Sequence, residues 1–259
     1  MALPRANLEA LTAALNSKPF IPTQTIVNLR DLDDVSGSAI RPGHIFHSGM
    51  LDTAGADPQA IAWLATNVKT VFDLRSKEGR ATYLSPKIPG VKFVFCELVA
   101  EYPQPRPAGF SIDYGRTAWR EQLMAAYKPS IGAVLEHVRD KPNDPFLFRC
   151  TAGRDCTGVM VGLLQTLAGT KQNDIILDYM LSWIGIEPDR ERLLEFILAN
   201  IDGKDTEEPG FWNMVSLRPS LWNALVQGVE AEYGGLDGYV KGPGFSAKDL
   251  ETIKKNLRA

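Results

Sequence analysis

The sequence predicts an α/β fold in which a central, mainly parallel sheet of about four or five strands is flanked by helices, with a helix-rich C-terminal half. Three observations predict it. Short β-rich segments alternate with helical patterns in the first part of the chain. The last strand-like segment, Phe146–Arg149, leads directly into an apolar helical segment. Beyond it, apolar residues recur at steps of three and four, which is the period of a helix.

Composition indicates a globular protein with one core. The chain has 259 residues, of which 44% are hydrophobic and 23% are charged, so it can fill a core and still solvate its surface. This composition excludes disorder and fibrous repeats. Proline and glycine are scattered and no repeat appears, so we expect a single domain over residues 1–259.

Net charge, the length of apolar runs and the number of cysteines limit where the protein is located and what it binds. Lys plus Arg number 28 against 31 Asp plus Glu, a formal net charge of -3, which provides no field to attract nucleic acid. Apolar runs such as Val159–Leu164 are far shorter than the roughly 20 residues of a membrane span, and Met1–Phe20 lacks a signal-peptide pattern. Three cysteines suit a reducing compartment. We expect a cytoplasmic protein with no membrane span and no nucleic-acid partner.

Helical and extended patterns alternate over the first half of the chain. Leu8–Leu15 is amphipathic, as a helix would be. Asp57 and Pro58 are favoured at the N-cap and first position, so we predict a helix over Pro58–Asn67. Segments rich in β-branched and aromatic residues are predicted strands: Thr25–Arg30, His44–Ser48, Thr70–Leu74 and Val91–Phe95.

Three prolines keep Ala100–Gly109 out of helix and sheet, so we predict a loop there and consider it a lid. The aromatic residues Tyr102, Phe110 and Tyr114 either recognise an aryl or extended substrate or pack over the sheet. Helical spacing returns over Trp119–Tyr127 and Ile131–Val138. Tryptophans in later helical stretches are predicted to be core residues: Trp183, Trp212 and Trp222.

The segment that follows the last strand has the pattern of an anion site. Gly153 allows the backbone N–H groups of the loop to turn inward, and the next helix adds the positive end of its dipole. A thiol in that field, Cys150, has a lowered pKa and is nucleophilic, and Thr157 can donate a hydrogen bond to it. The expected anion-binding residues of this segment are Arg149, Thr151, Ala152, Gly153, Arg154, Cys156 and Thr157.

Charged residues also stand where two predicted strands end. Arg30 and Asp31 follow one strand, and Asp73 and Arg75 follow another. Ligands of open α/β sheets bind at the carboxyl ends of strands, so Arg30, Asp73 and Arg75 are candidate substrate-binding residues. Ordinary buried pairing between these charges is the alternative.

Metal and cofactor binding is not predicted. His44 and His47 are three residues apart in a strand-like segment, so their side chains face opposite sides of the strand and make poor joint ligands. We expect neither a metal nor a cofactor.

The loop sequence Cys150-x-Ala-Gly-x-Asp-x-Thr-Gly resembles the phosphate loop of cysteine-dependent phosphatases, specifically the atypical tyrosine/serine phosphatase family of bacteria and fungi. The resemblance runs from residue 20 to residue 258. It implies a cysteine-phosphatase fold and an anionic, oxygen-rich or phosphorylated substrate. Its further matching segments are Asn28–Leu32, Ile40–Gly49, Val71–Ser76, Ile176–Ser182 and Tyr233–Tyr239.

The resemblance also assigns roles, and the loop departs from the family pattern. Cys150 would be the nucleophile and Asp155 the acid and base. Arg149, Arg154 and Cys156 stand where the family has His, Lys and Arg. The family's arginine grips two phosphoryl oxygens and stabilises the transition state. A cysteine does neither, so we expect weak or lost phosphomonoester hydrolysis.

Other interpretations of this loop remain open. The fold could be reassigned to a non-hydrolytic reaction of a small molecule in specialised metabolism, such as a dehydration, cyclisation or isomerisation. It could also be a pseudophosphatase that only binds phosphorylated partners. Cys150 and Asp155 could be remnants kept because they suit a helix start. Cys156 could be a small buried hydrophobe or the redox partner of Cys150.

Overall fold

Five short strands form one sheet in the order β1-β2-β5-β3-β4. The computed structural model describes residues 7–99, 106–110, 124–200, 205–242 and 244–258. β1 is antiparallel to β2, and the other neighbouring pairs are parallel, which confirms the predicted α/β class. The strands are β1 Arg30–Asp31, β2 Ile45–Ser48, β3 Thr70–Asp73, β4 Lys92–Phe95 and β5 Phe146–Arg149.

Helices connect the parallel strands and make up most of the chain after β5. Within the described ranges, every helix is too short or too polar to cross a bilayer. Short 3-10 helices lie at Asp52–Ala56, Pro107–Phe110 and Glu187–Asp189. The α-helices are α1 Leu8–Leu15, α2 Pro58–Asn67, α3 Lys77–Thr82, α4 Lys128–Asp140, α5 Cys156–Ala168, α6 Gln172–Ile186, α7 Arg190–Asn200, α8 Phe211–Val215, α9 Pro219–Tyr233, α10 Leu236–Lys241 and α11 Ala247–Arg258.

Side-chain caps fix the starts of α2 and α3. Asp57 Oδ1 accepts from the N–H groups of Gln59 and Ala60 at 3.0 and 3.1 Å, and Pro58 occupies the first turn. The predicted start of this helix is therefore confirmed. Ser76 Oγ caps α3 in the same way, but α3 was not predicted because its polar sequence has no apolar period.

The predicted strand Thr25–Arg30 is wrong except at its last residue. Asn28 has φ 55, in the left-handed region, and its N–H donates to Gly185 O instead of to a strand. The predicted loop also needs correction, because Pro107–Phe110 forms a 3-10 turn. Residues 100–105 of that loop and 119–123 of the predicted helix at 119–127 lie outside the described residues. Residues 124–126 are helical.

Two apolar cores lie on the two faces of the sheet. On one face, α2 packs on Phe46, Val71 and Leu147. On the other face, Phe72 and Phe148 pack in a larger core with α4, α5, α9 and α11. Nearly every residue of α5 is buried, because its sequence is apolar on all sides. This helix therefore starts under the carboxyl edge of the sheet and runs through the middle of the protein.

Close packing of α5 against α9 depends on Gly162. A Cβ at Gly162 would overlap the indole ring of Trp222. We expect Gly162→Ala to lower the free energy of unfolding by about 1–3 kcal/mol, because overpacking of a core outweighs the roughly 1 kcal/mol by which Ala is the better helix former. Chemical denaturation measures the change.

Gly79→Ala in α3 is the matched control. A Cβ there would lie 3.5 Å from Ser76 Oγ, an ordinary contact, so this variant should be as stable as the wild type or more stable by up to about 1 kcal/mol. Equal stability of the Gly162→Ala protein and the wild type would show that Trp222 does not constrain α5.

Candidate active site

The loop between β5 and α5 turns sharply at Gly153. Gly153 has φ 68, and a Cβ there would lie 2.7 Å from both the carbonyl carbon of Ser48 and the nitrogen of Gly49. A larger residue would therefore meet both backbone strain and a collision with the end of β2. Glycine at this position allows the loop to lie directly against the sheet edge.

Hydrogen bonds from outside the loop hold its carbonyl groups away from the thiol. The Met50 N–H donates to Thr151 O at 2.9 Å, and Asn28 Nδ2 donates to Gly153 O at 2.9 Å. Because the N–H of a trans peptide points opposite to its carbonyl, the loop amides turn to the other side. Asn28 Nδ2 also reaches Ala152 O at 3.4 Å, and the N–H of that same peptide unit, the Gly153 N–H, donates to Cys150 Sγ at 3.2 Å.

Cys150 is buried, and several donors surround its sulfur. Thr157 Oγ1 donates to Cys150 Sγ at 2.9 Å, the bond that the sequence suggested. The hydrogen bond from the Cys156 side chain lowers the pKa of Cys150 most, burial raises it and Thr157 lowers it further, giving a pKa of about 6. The same hydrogen bond and burial hold the pKa of Cys156 well above its ordinary value. Cys156 is therefore placed to donate to the Cys150 sulfur, in addition to being a small buried side chain.

A buried chain of polar contacts supports the loop from behind. Arg30 donates to Asp178 through Nε and Nη2 at 3.1 and 2.9 Å, and to Ser182 Oγ at 3.1 Å. Its Nη1 donates to Asn28 Oδ1, and Asn28 in turn holds Gly153 O. Arg30 is therefore a buried, ion-paired residue, the alternative that the sequence left open. It does not line the cavity, contrary to the expectation that it binds substrate directly.

Asp73 and Arg75 form a second buried pair, joined by Arg149. The Asp73 carboxylate contacts Arg75 Nη2 and Arg149 Nη2, both at 2.8 Å. The remaining Arg75 donors reach Ser85 Oγ and the carbonyls of Gly79 and Tyr83. Because Nε also donates to Asp73 Oδ1 at 3.0 Å, all five N–H groups of Arg75 have protein acceptors, so pairing, and not ligand contact, accounts for its charge.

Arg154 and Asp155 contact each other at the mouth of the loop. Arg154 Nε and Nη2 both lie 3.0 Å from Asp155 Oδ2, and Nη1 donates to Val215 O at 2.8 Å. Asp155 is the N-cap residue of α5, but its side chain makes no capping hydrogen bond. Capping therefore does not explain this aspartate.

His47 is buried at the end of β2 and stacks on Phe148 with ring centroids 6.2 Å apart. Burial and the charge of Arg30 hold its pKa well below the ordinary value, so the ring is neutral. In the part of the chain that the structure describes, no group of three or more His, Cys, Asp or Glu residues is arranged to hold a metal ion.

The loop opens into a cavity of about 750 Å³. Phe110 lies in its wall, and so do Trp183 and Trp212, which were predicted to be core. Of the three tryptophans, Trp222 is the one buried in the core. The predicted site residues that line the cavity are Arg75, Cys150, Thr151, Ala152, Arg154, Asp155 and Cys156. Those behind the wall are Arg30, Asp73, Arg149, Gly153 and Thr157.

Sequence reasoning missed the wall that α7 contributes. Leu193, Phe196 and Ile197 line the cavity together with Tyr127. No sequence signal distinguishes these residues, because an apolar helix stripe that lines a cavity has the same period as one that packs in a core.

Comparison with known proteins places this chain in a family. Residues 21–259 match the profile of the Tyrosine phosphatase family. The chain belongs to this tyrosine phosphatase family. The family fold, with its cysteine loop between the central strand and a buried helix, is therefore the framework of the site described above.

Three curated relatives of this phosphatase-family protein carry phosphatase names. A "Tyrosine-protein phosphatase" of Nostoc commune is 27% identical over 139 residues, 52% of this chain and 47% of the relative. A Cupriavidus necator protein with a provisional tyrosine-protein phosphatase name is 24% identical over 250 residues, 88% of this chain and 85% of the relative. The "Triple specificity protein phosphatase PtpB" of Mycobacterium tuberculosis is 28% identical over 117 residues, 42% of each chain. The chain thus spans about half the length of the first of these relatives.

The pH dependence of the alkylation of Cys150 by iodoacetamide should reflect the lowered pKa of its thiol. Only the thiolate reacts, so the rate should rise with pH through a midpoint of about 6. Thr157→Val removes a donor to the thiolate and should move the midpoint upward by about 1–2 pH units. Peptide mapping by mass spectrometry assigns the label. Cys96→Ser is the control that leaves the midpoint unchanged, and a wild-type midpoint above pH 8 would contradict the described loop.

Asn28→Gly tests the buried hydrogen bonds that support the loop from behind. Glycine tolerates the positive φ, so the hydrogen bonds to Gly153 O, Ala152 O and Arg30 are lost without backbone strain. Together with the greater freedom of glycine in the unfolded chain, this should lower the free energy of unfolding by about 1–3 kcal/mol. The midpoint of Cys150 alkylation should also rise, because the Gly153 N–H is less firmly held. Asn16→Ala removes an exposed amide that donates to Thr12 O and should cost less than about 0.5 kcal/mol. An unchanged Asn28→Gly protein would refute the supporting role.

Proposed function

We propose that this protein is a cysteine-dependent phosphomonoesterase of the tyrosine phosphatase family that turns over slowly. The observation that carries the proposal is the Cys150 sulfur, which faces a cavity of about 750 Å³ while Thr157 Oγ1 and the Gly153 N–H donate to it at 2.9 and 3.2 Å. These donors favour the thiolate, which is the nucleophilic form.

The reaction would proceed in two steps. Cys150 Sγ attacks phosphorus, the P–O ester bond breaks, and Asp155 protonates the leaving alcohol oxygen. Water then attacks the phosphocysteine with Asp155 as the base, which releases inorganic phosphate and restores the thiolate. The inward-turned loop amides and the N-terminus of α5 stabilise the negative charge of the phosphoryl oxygens.

Slow turnover follows from the absence of a guanidinium where the family resemblance expects one, at Cys156. Neighbouring arginines do not supply it, since Arg154 is bonded to Asp155 and Val215 O and each N–H of Arg75 has a protein acceptor. Arg149 lies behind the described cavity wall. Loss of one preorganised donor lowers kcat by roughly 100- to 1000-fold, which leaves a slow enzyme and not an inert one.

A second candidate, the non-hydrolytic reaction of a small molecule, is favoured by one observation. The wall of the cavity is largely apolar and includes Phe110, Trp183 and Trp212, a surface suited to a compact organic substrate. In this case the thiolate and Asp155 would serve a dehydration, cyclisation or isomerisation, and phosphate esters would not be turned over.

Turnover of phenyl phosphate by four proteins tests the proposal. The wild type should hydrolyse it slowly, Cys150→Ser should not, and Cys96→Ser should match the wild type. Cys156→Arg restores the family guanidinium and should raise kcat by roughly 10- to 1000-fold. Phosphate release measures the rate, and circular dichroism confirms that each variant is folded.

Other outcomes point to the alternatives. A wild type with no turnover and a Cys156→Arg protein that gains activity would refute slow hydrolysis and favour the non-hydrolytic enzyme. No turnover by any protein, with equal binding of phenyl phosphate by the wild type and Cys150→Ser, would instead indicate a binding module.

A further inference from the structure

The cavity above the Cys150 loop has room for far more than a phosphoryl group. Its volume of about 750 Å³ lies in the upper part of the range for small-molecule sites, roughly 300–1,000 Å³. α7, α8 and the 3-10 turn at Pro107–Phe110 supply an apolar wall. Its apolar members include Phe110, Leu193, Phe196, Ile197, Trp212 and Met214.

Charges in the described wall are balanced. Four arginines line the cavity, and so do four carboxylates, two of which are Glu78 and Glu195. Each arginine also lies within salt-bridge distance of a carboxylate, so the described wall has no surplus positive charge. The pairs are Arg75–Asp73 at 2.8 Å, Arg154–Asp155 at 3.0 Å, Arg190–Glu187 at 3.2 Å and Arg192–Asp52 at 3.2 Å.

We infer that the substrate carries one anionic group attached to a large apolar body, such as a biaryl or other polycyclic group. This inference rests on the proposed function, because the loop amides are taken to bind the anionic group. The apolar body would displace water from the aromatic wall, which is favourable in proportion to the area buried. A second anionic group would find paired arginines and would lie near Glu78 or Glu195, which would repel it.

Two esters of phenols of similar acidity test the apolar body. Because the leaving groups are matched, a difference in kcat/KM between biphenyl-4-yl phosphate and phenyl phosphate reports binding of the second ring. We expect the biphenyl ester to be better by about 10- to 100-fold. A phosphotyrosyl peptide flanked by Asp and Glu should be poorer than phenyl phosphate. Equal values for the two esters, or a preference for the acidic peptide, would overturn the inference.

Trp212→Ala locates the contact. Removal of the indole should reduce the biphenyl-to-phenyl ratio of kcat/KM by about tenfold. Trp63→Ala is the matched control, since Trp63 packs edge-on against Phe46 on the other face of the sheet and its removal should leave the ratio unchanged. An equal change of the ratio in both variants would indicate a general loss of structure and would contradict a specific wall contact.

Binding to Cys150→Ser separates this inference from the proposed function. Titration calorimetry gives the Kd of each ester without turnover, and tighter binding of the biphenyl ester by about 10-fold or more is expected. Preferential binding without wild-type hydrolysis would uphold the substrate class and refute the esterase. Hydrolysis without preference would uphold the esterase and refute the substrate class. Failure to bind either ester would refute the substrate class.

Discussion

A negative charge on a buried sulfur is the constraint on which this site depends. Cys150 is 6% exposed, and burial alone would favour the neutral thiol. The charge is tolerated because the Cys156 side chain, Thr157 and the Gly153 N–H donate to the sulfur. Two of these donors belong to the first turn of α5 and one to the loop before it. The conformation of β5, loop and helix is therefore what sets the reactivity of the thiol.

That conformation is held by residues far away in sequence. Arg30 and Asp178 are 148 positions apart and fully buried, and a buried ion pair of this kind gains little net stability after desolvation. Its value lies in geometry. Arg30 of the pair donates to the side chain of Asn28, a residue with left-handed backbone, and Asn28 donates to the carbonyl of Gly153. The Asp73–Arg75–Arg149 cluster joins the ends of the neighbouring strands β3 and β5. Charged residues at strand ends thus support the site, and of these Arg75 alone also lines the described cavity wall.

Local features were predictable from the sequence, and long-range ones were not. Asp57 and Pro58 predict the start of α2 because an N-cap acts within a few residues. The sequence from β5 to Thr157 likewise predicts the turn at Gly153 and the hydrogen bond from Thr157 to Cys150. The partner of Arg30 could not be predicted, since nothing local distinguishes Asp178 from other helix carboxylates. The direction of Arg154 depends on Val215 O, and the cavity wall depends on how α7 packs. Both are decided by tertiary structure.

The arginines explain why a loop with cysteine at position 156 would not regain phosphatase strength from its neighbours. A phosphoryl transition state needs a guanidinium with two free N–H groups in one plane. Arg75 donates all of its N–H groups to Asp73, Ser85 and two carbonyl oxygens. Arg154 links the loop to α8 through its hydrogen bond to Val215 O. Freeing Arg154 would break its contact with Asp155, and freeing Arg75 would remove one of the two guanidinium groups that contact the buried Asp73 carboxylate. On the proposed function, catalysis therefore rests on the backbone amides and the dipole of α5. These donors bind the anionic group of a substrate whatever the rest of that molecule is. Selection between substrates is therefore expected to depend on the apolar wall above the loop.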